Sequence, residues 1–137
     1  MSYGAESAEP PVSARALLLA GSLVRIAYGV GALLTPARMV SAGLAPDTHA
    51  LAEPRLTLRG FGGHQLIVGA LTLAATRAAA PARRAATLSL LVDTFDIVST
   101  VLEQHARGER DATVTRSYRL SGAGMATFAC ARWVLRR

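Results

Sequence analysis

Ala85-Ala-Thr-Leu-Ser89-Leu-Leu-Val-Asp93-Thr-Phe-Asp96-Ile-Val-Ser-Thr100-Val-Leu102-Glu103 is an apolar run with polar residues set into it at a regular interval. Ser89, Asp93, Asp96, Thr100 and Glu103 follow one another by four, three, four and three positions, which puts all five on one face of an α-helix. Leu90, Leu91, Val92, Phe95, Ile97, Val98, Val101 and Leu102 cover the rest of the cylinder. A helix of a soluble bundle carries an apolar stripe on a mostly polar cylinder. Here the cylinder is apolar and the stripe polar, the pattern of a membrane helix that turns its polar groups toward its neighbours.

Three further stretches share this character. Their approximate bounds are 16–34, 60–76 and 120–135, with the opening stretch at 85–102. Each is 16 to 19 residues, near the short end of what crosses a hydrocarbon layer about 30 Å thick. The stretch 60–76 has no formal charge and carries Gly62, Gln65, Gly69, Thr72 and Thr76 on one face. The stretch 16–34 offers Ser22, Arg25, Gly29 and Ala32 at the same spacing, and 120–135 offers Gly122, Ala126, Ala129 and Trp133. The expected fold is all-α: a four-helix transmembrane bundle after a mobile tail over 1–15, with a soluble helical bundle as the competing architecture.

Composition is in keeping with this. Of the 137 residues 51% are hydrophobic, 18% are charged and only 5% are aromatic, so Ala, Leu and Val supply the apolar mass and small residues allow close helix approach. Mean hydropathy is +0.32. The net charge of +6 comes from fifteen Arg with no Lys. These sit at the ends of apolar stretches, where they anchor helices at headgroups, rather than along one face with interleaved aromatics as nucleic-acid binding requires. Cys130 is the only cysteine, which excludes an intrachain disulfide and a cysteine-rich metal centre. No phosphate-binding loop, dinucleotide fingerprint, nucleophile elbow or His-x-x-x-His pair occurs, so no cofactor and no metal are expected.

The connections add detail. Thr35-Pro36 is a helix start, so a short helix is expected through Ala37–Ala42, stopping at Gly43 and lying flat at the interface with Met39 and Val40 toward lipid. Residues 77–84 read as a tight basic turn and 103–119 as a long polar loop. With both termini on one side, the Arg count ties at seven on each side. The compact group of Arg15, Arg77, Arg83, Arg84, Arg132, Arg136 and Arg137 favours cytoplasmic termini in a bacterial inner membrane.

The buried charges are the candidate site. Two Asp near the middle of a spanning helix cost about 5 to 7 kcal/mol, so they require partners. Arg25 lies at matching depth if the first and third long helices run parallel, and an Arg25–Asp93 or Arg25–Asp96 pair is expected. Arg59, His64 and Gln65, at the start of the second long stretch, complete a predicted pocket of Arg25, Arg59, His64, Gln65, Asp93 and Asp96. Two functions fit: a component of a membrane complex or binder of a lipophilic small molecule, and a membrane enzyme of isomerase, cyclase or epoxide-opening type. The enzyme would use Asp93 or Asp96 as acid or base and His64 or Arg59 to polarise the substrate; the first reading is preferred because it fits the small-residue seams and the lack of a nucleophile.

The order of features resembles the small four-helix bacterial membrane proteins of the DoxX-like group. The resemblance rests on Pro36-Ala-Arg-Met-Val-Ser-Ala-Gly43-Leu44 after the first helix, on Arg59-Gly-Phe-Gly62 through Gly69, and on the internal Asp93 or Asp96. It covers roughly 16–135 and implies the topology and the bacterial inner membrane. It supplies no catalytic residues. Gly63-His64-Gln65 departs from the pattern.

Overall fold

The computed structural model describes residues 8–42, 54–108 and 112–136. Within them the chain is all-helical, with four long helices and one short one: α1 Val12–Leu34, α2 Pro36–Ser41, α3 Pro54–Ala75, α4 Ala79–Arg107 and α5 Ala112–Val134. Helix α1 lies between α3 and α5, and α4 packs along α5 while only grazing α1. Two helical stretches, Val12–Leu34 and Ala79–Ala106, are long and apolar enough to cross a membrane.

The faces that meet are small or polar. In α1 the buried positions are Ala14, Leu18, Ser22, Arg25, Gly29 and Ala32, a 3.6-residue repeat. In α3 Gly62, Gln65, Gly69 and Thr72 are buried along one face, and Thr76 just after the helix is buried too. The seam between these helices is backbone on backbone: a Cβ on Gly29 would lie 2.6 Å from the Gly62 carbonyl oxygen, and one on Gly62 would lie 2.7 Å from the Ala32 side chain. Large apolar side chains point the other way. Leu23, Val24, Ile67, Leu71, Leu91, Phe95 and Leu102 are all exposed, Phe95 to 73%.

Several expectations are corrected. The N-terminal segment is not a tail through residue 15, because α1 begins at Val12. Pro10 is buried and the Ala8 carbonyl accepts a hydrogen bond from Ala79 N–H at 2.8 Å, which ties the entry of α1 to the start of α4. The turn after α3 is only Thr76 to Ala78, and 79–84 opens α4. The long loop over 103–119 is mostly helix, since nothing breaks α4 before Gly108, whose φ of 72° closes it with an N–H bond to Gln104 at 3.1 Å. Helix α2 starts at Pro36, but Thr35 does not cap it; the Thr35 hydroxyl donates to Gly31 instead. Met39 does not face outward, because its sulfur packs against Gly31 and it is buried with Ala32 and Leu58. Gly43 and Pro46-Asp47 lie outside the described residues.

The α5 seam is also different. Ala126, Ala129 and Trp133 are exposed, while Phe128, Ala131 and Leu135 are buried. The inward face is Ser117, Ser121, Gly124, Phe128, Ala131 and Leu135, spaced by four, three, four, three and four.

Candidate functional site

Arg25 is the hub. It is 7% exposed, and its guanidinium draws three helices together. Nη2 donates to Asp93 Oδ1 at 2.5 Å and to the Ser89 carbonyl at 3.3 Å on α4, and Nη1 donates to Gln65 Oε1 on α3. The Phe128 ring of α5 lies 5.1 Å from Arg25 Cζ, within cation–π range. One turn toward the α3–α4 connection, Thr72 Oγ1 and Ser89 Oγ are 3.0 Å apart, and Ser22 donates to Leu18 at 2.6 Å. A polar column thus runs inside the bundle, each side chain presented by the small-residue spacing of its helix.

The column is not fully satisfied. Arg25 Nε and Asp93 Oδ2 are buried and have no hydrogen-bond partner among the described residues. Asp93 Oδ2 faces Gly124 of α5, where a Cβ would come within 2.5 Å of it. Gly124 therefore makes room for the carboxylate, and any larger residue would push it off Arg25.

Beside this hub lies a cavity of about 540 Å³, within the size range of small-molecule sites. Its floor is Phe128 and Gly21, and its waist is Arg25, Gln65 and Asp93. Toward the Leu34 end of α1 its lining continues past Tyr28, Phe61 and Asp96 to Thr100, Ser117, Ser121 and Arg116. The Tyr28 and Phe61 rings meet edge to face with centroids 5.8 Å apart. Lining residues Ala20, Val24, Leu120 and Ala123 are exposed, so the cavity opens sideways between α1 and α5 as well.

Four residues of the pocket expected from sequence, Arg25, Gln65, Asp93 and Asp96, line this cavity. Arg59 and His64 do not. Arg59 is exposed and its Nε donates to the Leu33 carbonyl at 3.2 Å, satisfying an end carbonyl of α1. His64 is exposed, with its ring 6.3 Å from that of Phe61. The reason is rotational: neighbouring positions on a helix diverge by about 100°, so burying Gln65 turns His64 outward. Sequence reasoning missed Tyr28, Phe61, Arg116, Ser117, Ser121, Gly124 and Phe128. A four–three repeat runs through the last four of these, but small residues on the other faces of α5 hide it. No group of His, Cys, Asp and Glu suited to a metal occurs among the described residues.

Comparison with protein-family models, curated proteins and solved structures gives no match for this chain.

Proposed function

We propose that this chain is a small multi-pass protein of a bacterial inner membrane and that its bundle binds a lipophilic small molecule in the cavity beside Arg25 and Asp93. The supporting observation is one arrangement: polar and small residues inside, large apolar residues outside, and an apolar-walled cavity open toward that outside. Leu23, Leu91 and Phe95 exposed to water would each forfeit about 1.5–3 kcal/mol of burial, whereas in lipid they cost nothing. The interior polar groups would be the liability in lipid, and the Arg25–Asp93 ion pair with hydrogen bonds among Arg25, Gln65, Ser89 and Thr72 offsets most of it. Arg15, Arg77, Arg83, Arg84 and Arg136 gather at one end, which is in keeping with cytoplasmic termini and with the DoxX-like resemblance.

Binding is favoured over acid–base catalysis by the place of His64. The enzyme reading needs His64 and Asp96 to face one substrate; His64 is within electrostatic reach of Asp96 but is exposed and outside the cavity lining. A complex-component role needs no cavity at all.

The test is a lipophilic fluorophore. Detergent-purified protein should bind N-phenyl-1-naphthylamine saturably, and Ala123→Trp, which places an indole in the lateral opening, should weaken that binding at least about tenfold. The protein should also stay in the pellet after carbonate washing of membranes. Recovery in the supernatant, or fluorophore uptake that never saturates, would overturn the proposal.

A further inference from the structure

The charges along the cavity are ordered, and the order specifies a ligand. Helices α4 and α5 run antiparallel, with Asp93 level with Gly124, Gln104 hydrogen-bonded to Tyr118 at 3.1 Å and Thr87 to Arg132 at 2.8 Å. At 1.5 Å per residue, Asp96 stands about 4–5 Å above the Asp93 level and Arg116 about 12 Å above it. Below both lies the apolar floor of Phe128 and Gly21. From the floor outward the cavity therefore presents hydrocarbon, then the paired Arg25 and Asp93 with Gln65, then the Asp96 carboxylate, then hydroxyls from Ser121 and Ser117, then the Arg116 guanidinium at the mouth.

Neither outer charge has a salt-bridge partner among the described residues, although Asp96 lies within electrostatic reach of Arg25 and His64. The Arg25–Asp93 pair is the ion pair of the described residues, and Asp96 and Arg116 form none with any of them. Asp96 is half-buried, so its carboxylate favours a hydrogen-bond donor beside it and repels an anion. Arg116 is also half-buried and offers a fork of donors suited to a carboxylate or phosphate.

Building on the binding function proposed above, we infer that the cavity takes a single-chain lipid acid that carries a hydroxyl just inboard of its acidic group. The acyl chain occupies the floor and the lateral opening between α1 and α5. The hydroxyl donates to Asp96, and the acid meets Arg116 with Ser117 and Ser121 beside it. The vertical gap of about 7 Å between the two side-chain origins, shortened by the length of an arginine, matches a hydroxyl a few ångströms from the anion. A cationic amphiphile would meet Arg116 at the mouth. A plain alcohol would leave Arg116 unused.

Displacement of N-phenyl-1-naphthylamine from the detergent-purified protein tests this. The competitors share one oleoyl-length chain: 1-oleoyl lysophosphatidate has both groups, monoolein has hydroxyls without the acid, and oleyl phosphate has the acid without the hydroxyl. Lysophosphatidate should displace the fluorophore about tenfold better than monoolein and several-fold better than oleyl phosphate. Arg116→Gln should abolish the first difference, Arg116→Lys should keep part of it, and Asp96→Ala should abolish the second. The comparison among competitors on the wild-type protein needs no variant to fold. Monoolein matching lysophosphatidate, or a tenfold preference that survives Arg116→Gln, would overturn the inference while leaving the cavity's lipophilic binding intact. Absence of saturable fluorophore binding would overturn the binding function itself.

Discussion

The two halves of the bundle are made by the same four helices and the same face of α5, yet one is closed and the other open. Near the α3–α4 connection, Phe128 and Ala131 of α5 and Leu135 just after it pack against Ala14, Leu18, Ala82 and Ala86 with hardly any exposure. One, two and three turns further up, the same stripe presents Gly124, Ser121 and Ser117, and the space they do not fill is the cavity. Cavity and core therefore differ in side-chain volume along one heptad-like stripe, not in backbone arrangement. In the lipid setting proposed above, helix association would depend on contact and hydrogen bonding rather than on expulsion of water, so the closed half would carry the packing that the open half gives up.

The boundary between the halves is Arg25, and removing it should have the largest effect. Arg25→Ala leaves Asp93 buried without its cation and should destabilise by about 3–5 kcal/mol, read as a drop in Tm in detergent. Asp93→Ala should do the same by stranding Arg25. The double change should recover part of the loss, since the pair rather than each residue is the unit; strictly additive losses would break this account of the boundary. Phe128→Ala attacks the closed half from the other side. It removes the largest fully buried side chain among the described residues and the ring beside Arg25, for about 3–4 kcal/mol, and should make the lower half resemble the upper. A loss below about 1 kcal/mol would show that the closed half is not tightly packed.

Gly124→Ala should come next, at about 1–3 kcal/mol. The added methyl would overlap Asp93 Oδ2, so the carboxylate must swing off Arg25 or α5 must move away from α4. Gly122→Ala is the control, because a Cβ there meets nothing within 4 Å. Equal effects at the two glycines would contradict the close approach of α5 to Asp93.

How far the sequence could be read follows the same divide. The stripes of α1 and α3 were legible because bulky residues lie on every other face, leaving one place for Ser22, Arg25, Gly29, Gly62 and Gln65. The Arg25–Asp93 pairing was legible because a buried charge demands a partner at matching depth. In α5, Gly122, Ala123, Gly124, Ala126, Ala129 and Ala131 put small residues on all sides, so periodicity of small residues picks no face. The choice is made by Asp93 and Arg25 on other helices, which need Gly124 and Phe128 opposite them. Helix ends were obscured for another reason: charged residues at 103–107 and 112–119 read as loop, yet they lie in helix because Gly108 is the position where α4 is closed. The cavity could not be read at all, since it is the absence of volume at Ser117, Ser121 and Gly124 rather than the presence of any group.

Ser121→Leu tests that last point with the smallest effect on the fold. Ser121 lies on the α5 stripe between Gly124 and Ser117, is half-buried and lines the cavity. A leucine there continues into the upper half the kind of side chain that Leu135 and Phe128 supply below. Because it enters open space rather than a filled core, overpacking strain should be small and new contacts should offset it, leaving stability within about 1 kcal/mol of wild type. Binding should respond in the opposite proportion: N-phenyl-1-naphthylamine affinity should fall at least about tenfold as the leucine takes the ligand's volume. A variant that unfolds would mean the upper half is already packed as tightly as the lower. One that keeps full affinity would place the bound molecule elsewhere than beside α5.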